Sequence, residues 1–208
     1  MQFGDGEVID VERKNELAGN IHGKGMMIAQ ACLSNILDLP SQLPFSASLV
    51  FEQSYGEIDG DSASLAIFCV LASALADLPL PQHIAITGSI DQFGLVHSVG
   101  GVNDKIEGFF TICPRRGLTG KQGVIIPMTT IQQLSLSDEV KSAVKNGEFF
   151  IYPVEDIYQA CELLFGRDLL DENKDYTEKT EPLSRLIQRR IEGRADSERK
   201  SFWHFFRS

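Results

Sequence analysis

Ser62, in Glu57-Ile58-Asp59-Gly60-Asp61-Ser62-Ala63-Ser64, and Lys105, in Gly100-Gly101-Val102-Asn103-Asp104-Lys105, are the residues whose types and places could do chemistry. A serine at the mouth of an apolar helix and a lysine at the start of another are the two parts of a Ser-Lys hydrolase. The lysine takes the hydroxyl proton and the serine attacks a carbonyl carbon.

Each residue has a local rationale. Gly60 lets the backbone turn sharply, and Asp61 is placed to cap the helix that begins beside it. Ser62 then stands at the positive end of a helix, where free backbone N–H groups point outward. Such donors can hold the oxyanion of a tetrahedral intermediate, and removing one costs roughly 3–4 kcal/mol. Taken alone, the same serine reads as a helix cap. Lys105 falls in a first helical turn on the side of Val102, Ile106 and Phe109. Apolar surface and the helix dipole both lower an ammonium's pKa there. From an ordinary value of about 10.4 it must fall toward roughly 7–8 to act as a base at neutral pH. Taken alone, it reads as a surface lysine with its head in water.

The elements that must position these groups follow from periodicity and turn residues. Val8 to Glu12 reads as a short strand, Gly25 to Leu39 as a helix ended by Pro40, and Ser46–Phe51 as a strand. After the acidic turn at Glu57–Asp61, Ser62 to about Leu78 reads as a helix, apolar nearly all round and stopped by Pro79; such a helix is buried. Ile84–Ile90 is a strand that Asp91-Gln92-Phe93-Gly94 turns back toward Leu95-Val96. A helix follows Gly100-Gly101. Gly123–Ile126 and Phe149–Val154 read as buried strands. Asp138–Lys145 and Glu155–Phe165 read as helices, with Gly166 as a C-cap. The alternation gives an α/β or α+β class.

The 208 residues suffice for one sizeable domain with a tail, and the 43% hydrophobic content fits a real core. We expect a domain over 1–170 and a charged linker with a basic aromatic tail over 171–208. From Leu183 to Ser208 seven Lys/Arg face three acids, so this segment carries +4 while the remainder carries −14. The formal charge of −10 argues against non-specific nucleic-acid binding by the body. The tail, with Phe202-Trp203-His204-Phe205-Phe206, could bind a partner, a membrane surface or the rest of an assembly, or be poorly ordered. The cysteines Cys32, Cys69, Cys113 and Cys161 and the histidines His22, His83, His97 and His204 are scattered, without metal-ligand spacing. No signal peptide or membrane span is expected, which points to the cytoplasm. Gly19-Asn20-Ile21-His22-Gly23-Lys24-Gly25 has three residues between the first two glycines and no Ser/Thr after its lysine. It reads as a glycine-rich turn, not a P-loop. No Gly-x-Ser-x-Gly elbow occurs.

Three ordered motifs carry a resemblance. Asp59-Gly60-Asp61-Ser62-Ala63 matches an Asp-Gly-x-Ser-Ala nucleophile motif. Gly100 to Lys105 matches a Gly-Gly-x-x-x-Lys base motif. Ala85-Ile86-Thr87-Gly88 matches an Ala-x-Thr-Gly strand between them. From about Gly4 to Gly166 the chain resembles the proteolytic domain of Lon proteases, most closely the LonB-like branch. The resemblance implies that fold, with Ser62 as nucleophile and Lys105 as general base. Thr87 would accept a hydrogen bond from the lysine, or simply fill its strand. Asp59 would pair with Lys105 in a resting state, or simply be a turn carboxylate. The N–H of Ser62 and a neighbour would form the oxyanion site. Ser48-Leu49-Val50-Phe51-Glu52 stands where the better-studied branch carries histidines, so no imidazole assists from there.

The resemblance further implies an ATP-dependent endopeptidase acting on unfolded or damaged proteins within a homo-hexamer. This chain would be the C-terminal part of a larger protein. No cofactor is expected in this segment, because ATP and Mg would serve only an associated ATPase region. The alternative is a non-catalytic Lon-like oligomerisation module of an ATPase.

Overall fold

The computed structural model describes residues 1–39, 43–170 and 176–193. It is a mixed α/β domain. The first layer is a sheet in which β3 (Leu43–Leu49) lies between β1 (Gln2–Gly6, antiparallel) and β2 (Val8–Asp10, parallel). A one-turn helix α1 (Val11–Lys14) follows β2, because Asp10 Oδ1 accepts the Arg13 N–H at 3.2 Å and turns the chain. The expected strand through Glu12 therefore ends at Asp10.

Helix α2 (Asn20–Ile36) begins five residues before the expected start, so the stretch from Gly19 to Gly25 is a helix entry and not a turn. Its glycines are there for contact. A Cβ on Gly23 would lie 2.2 Å from Arg13 Nη1, and one on Gly25 would lie 3.1 Å from the Asp61 Cα.

Helix α3 (Ser64–Ala76) buries nine of its thirteen residues, among them Leu65, Phe68, Leu71 and Leu75, as expected of a helix apolar all round. The second sheet is parallel throughout, in the order β4 (Ile84–Ile86), β7 (Gln122–Pro127), β8 (Phe149–Val154). β7 is buried along its whole length. Its alternation assigns Ile125 to the core around α3, and Val124 and Ile126 to a second core beneath α4 (Val102–Arg116) and α5 (Asp138–Lys145). The expected strand Ile84–Ile90 breaks at Thr87-Gly88, and its second half, β5 (Ser89–Ile90), pairs antiparallel with β6 (Val96–His97). Helix α6 (Ile157–Phe165) is capped by Asp156 and ends at Gly166 in the left-handed region, φ 62°.

The core continues past residue 170. Residues 183–193 are helical, and Leu183 and Ile187 are buried in the same cluster as α3. Arg190 Nη1 donates to the carbonyls of Ala74 and Leu75 at 3.2 and 2.8 Å, closing the end of α3 where Asp77 sits at φ 59°. Leu183 and Ile187 thus pack with the body of the domain. The aromatic cluster at 202–206 and residues 171–175 of the expected linker lie outside the described residues. No described helix is long and apolar enough to cross a membrane.

Candidate active site

Ser62 lies in the turn just before α3, on a loop held from three directions. From below, the Asp59 carboxylate accepts the N–H groups of Ile21 and His22 on α2, each at 3.1 Å, and that of Gly60 at 2.8 Å. Gly19, the N-cap of α2, has no side chain to offer, and a Cβ there would meet the Asp59 carboxylate at 2.4 Å. Asp59 is thus a helix cap supplied from 38 residues away. The N–H bonds of Gly60 and His22 hold its pKa below the ordinary carboxylate value. Gly60, at φ 104°, makes the reversal beyond it, a conformation that glycine alone adopts without strain.

From the side, Gly88 clasps the turn. Its N–H donates to the Ser62 carbonyl at 2.9 Å, and its own carbonyl accepts the Leu65 N–H at 3.2 Å. A Cβ at Gly88 would sit 3.0 Å from Leu65 Cδ2 and 3.1 Å from Val96 Cγ1, so the close approach requires glycine. This clasp is also what splits the strand. Ser64 Oγ accepts the Ile90 N–H at 2.9 Å, joining the first turn of α3 to β5.

Asp61 differs from the expected cap. Helix α3 starts at Ser64 with Ala63 as its N-cap, and no side chain caps it. The Asp61 carbonyl accepts the Ser64 N–H at 2.9 Å, while its carboxylate accepts the Ser89 hydroxyl at 2.9 Å. Ser89 is a site neighbour that sequence reading missed, since a serine in a strand carries no signal of its own.

From above comes Lys105, four residues into α4. Its Nζ donates to Ser62 Oγ at 3.0 Å and to Thr87 Oγ1 at 3.1 Å. Thr87 is buried and continues the β4–β7 ladder by its N–H bond to Ile125, so the sheet fixes one anchor of the ammonium. Lys105 is exposed as a residue, and Val102, Ile106 and Phe110 make the buried face of α4. Its amine end is drawn inward nonetheless. Burial there pushes its pKa below that of an ordinary lysine, and the Asp61 carboxylate pulls the other way. Among the described residues Lys105 makes no ion pair with Asp59, whose carboxylate is engaged by α2.

The structure thus brings Ser62, Lys105 and Thr87 into one hydrogen-bonded group, with Asp61 acting on the lysine through space. Gly60 and Ala63 shape the turn, and Asp59 braces it from α2. Among the described residues no three His, Cys, Asp or Glu side chains converge as metal ligands. The four cysteines are free and buried.

Residues 56–166 match the C-terminal proteolytic domain of Lon protease (S16). All 208 residues align at 98% identity with a Haemophilus influenzae protein named "Putative Lon protease homolog", covering 35% of it. An Escherichia coli protein of the same name is 60% identical over 80% of this chain and 28% of its own length. The "Archaeal Lon protease" of Methanocaldococcus jannaschii is 58% identical over 27% of this chain and 9% of its own length. The chain spans about a third of the length of the first two relatives.

Proposed function

This chain belongs to the Lon protease (S16) proteolytic family, and on that premise we propose that it is a serine endopeptidase working through a Ser62–Lys105 dyad. The observation that carries the reading is the 3.0 Å approach of Lys105 Nζ to Ser62 Oγ.

In the reactive form Lys105 is a neutral amine, and the Ser62 hydroxyl donates to it across that distance. As Oγ attacks the scissile carbonyl, its proton passes to Nζ and the carbonyl electron pair moves onto oxygen. The oxyanion is held by the N–H groups of Ser62 and its neighbour at the positive end of α3. When the tetrahedral intermediate collapses, Lys105 returns the proton to the departing amine, leaving an acyl ester on Ser62. Water then attacks the ester with Lys105 again as base. Thr87 Oγ1 offers Nζ a second acceptor, which keeps the amine directed at Ser62. Asp61 favours the ammonium form and so opposes activation. This chemistry needs no metal or cofactor from the chain.

For the whole protein we propose ATP-dependent hydrolysis of unfolded or damaged polypeptides by a cytoplasmic homo-hexamer. An ATPase region outside this chain would supply the ATP and Mg chemistry. Relatives about three times longer support such a division of labour.

The test is hydrolysis of an unstructured fluorogenic polypeptide by the wild-type chain, Ser62→Ala and Lys105→Ala, at high protein concentration. Loss of activity in both variants supports the dyad, because members of one catalytic unit fail together. Activity surviving Ser62→Ala sinks it. A wild type inactive even when joined to the ATPase region would favour the non-catalytic oligomerisation module.

A further inference from the structure

Lys105 sits in the part of α4 that its own sequence holds least. The helix is entered through Gly100 and Gly101, Gly101 lies at φ 66°, and no side chain caps the first turn. Uncapped helix ends fray, whereas a proton-transfer base must be held to a fraction of an ångström.

Two side chains flank Lys105 at two residues' distance on either side, and both reach the segment between the 3-10 turn Met128–Gln133 and α5. Asn103 donates through Nδ2 to the Gln133 carbonyl at 3.2 Å and accepts the Ser135 N–H on Oδ1 at 2.9 Å. Glu107 accepts the Ser137 N–H at 2.6 Å and the Ser137 hydroxyl at 3.0 Å. Residues four apart share a helix face, and the residue midway between them points away from it. The four bonds therefore grip one face of α4 while Lys105 projects from the other.

We propose that Asn103 and Glu107 are positioning residues, a clamp that replaces the missing cap of α4 and sets where Lys105 Nζ stands relative to Ser62 and Thr87. The inference rests on the dyad reading given above. Ser137 also accepts the Val140 N–H at 3.3 Å as the N-cap of α5. One serine thereby joins the start of α5 to α4, and a displacement of segment 134–137 becomes a rotation of the base.

The test uses the full chain labelled with carbon-13 at the lysine ε position, with Lys105→Arg identifying the Lys105 signal. Its titration midpoint is followed by NMR in wild type, Asn103→Ala, Glu107→Ala and Glu107→Gln, beside kcat and KM on an unstructured fluorogenic polypeptide. Both clamp residues are half-buried at the surface, so the truncations leave no core cavity. In the two alanine variants the Lys105 midpoint is expected to rise toward that of a free lysine. Their kcat should fall about 10–100-fold, the scale of a misplaced catalytic group, with KM near wild type. Glu107→Gln keeps an acceptor for the Ser137 N–H and should restore both readouts. An unchanged midpoint and unchanged kcat in folded Asn103→Ala and Glu107→Ala overturn the clamp. Activity surviving Ser62→Ala would strike the dyad reading instead, and the Lys105 midpoints would still report on the clamp.

Discussion

The Gly88 N–H donates to the Ser62 carbonyl at 2.9 Å, and this bond ties the turn that carries the hydroxyl to the strand that carries Thr87. The same glycine has Leu65 Cδ2 and Val96 Cγ1 within about 3 Å of where a Cβ would stand. Gly88→Val should push the turn off the strand. Overpacking of this kind costs typically 1–3 kcal/mol, and a misplaced nucleophile costs about a hundredfold in rate. Urea denaturation and steady-state hydrolysis on one preparation would separate the two effects. A variant that is less stable yet as active as wild type would show that the clasp does not set the position of Ser62.

The Lys105 amine titrates below the range of an ordinary lysine because its end is buried, and Asp61 holds it higher than burial alone would. The proposed base works only when neutral, so kcat/KM should rise with pH to a plateau, with a midpoint below that of free lysine. Asp61→Asn removes the charge but keeps an acceptor for the Ser89 hydroxyl, and should move that midpoint to lower pH. A shift to higher pH would contradict the assignment. The sign for stability is the reverse of a paired lysine. The native state binds fewer protons than the unfolded chain between its lowered pKa and the ordinary one, so stability rises with pH across that window.

The cap that Asp59 gives α2 should be felt in acid. Its pKa is depressed by the N–H groups of Gly60 and His22, so its contribution to stability is present above the unfolded value of about 3.9. It is lost as the pH falls through the lower folded value. Asp59→Ala should lower the melting temperature at pH 7, and its deficit against wild type should shrink in acid. Asp59→Asn, which keeps an acceptor oxygen, should lie between them. Equal melting curves for Asp59→Ala and wild type at pH 7 would show that α2 does not depend on this loop.

Ser62 and Lys105, the residues of the proposed dyad, stand out in the sequence as members of three ordered motifs, since each alone reads as a helix cap or a surface lysine, and glycines mark the turns that hold them. Gly60 and Gly101 both adopt positive φ, and such turns are written in residue type. The buried helix α3, the strand Phe149–Val154 and the helix Asp138–Lys145 are equally plain, because burial writes itself in apolar runs and caps. What fails is whatever depends on a distant partner. Asp59 looks like a turn carboxylate until α2 arrives beside it. Ile84–Ile90 looks like one strand until Gly88 is seen gripping Ser62. The glycines from Gly19 to Gly25 look like a loop because their purpose, close approach of Asp59, Asp61 and Arg13, belongs to tertiary contacts that no local pattern encodes.

The cysteines should be silent in the folded chain. Burial first, with Asp91 and Cys161 adding to it, pushes the Cys32 thiol up to about 12, and burial raises that of Cys113. Cys161 is raised as well, first by its hydrogen bond with Cys69 and then by burial. The thiolate is the nucleophile, so a chromogenic disulfide reagent at pH 8 should react at the rate of global unfolding. In guanidinium all four thiols should titrate at once. Rapid labelling of any one in native buffer would reveal an opening of the core.

Leu183 decides where the domain ends. It is fully buried in the cluster that packs α3, on the helical stretch whose Arg190 closes the far end of that same helix. A tail merely resting on the body would tolerate its truncation. A core residue would not, since Leu→Ala in a packed site costs about 2–5 kcal/mol through lost transfer energy and the cavity left behind. Leu183→Ala should therefore lower the unfolding free energy by that margin, read as a lower urea midpoint with an unchanged cooperativity slope. Arg190→Ala should act in the same direction but more weakly, because water can take up the carbonyls it releases. If Leu183→Ala unfolds with wild-type stability, residues 183–193 are an appendage, and α3 owes them nothing.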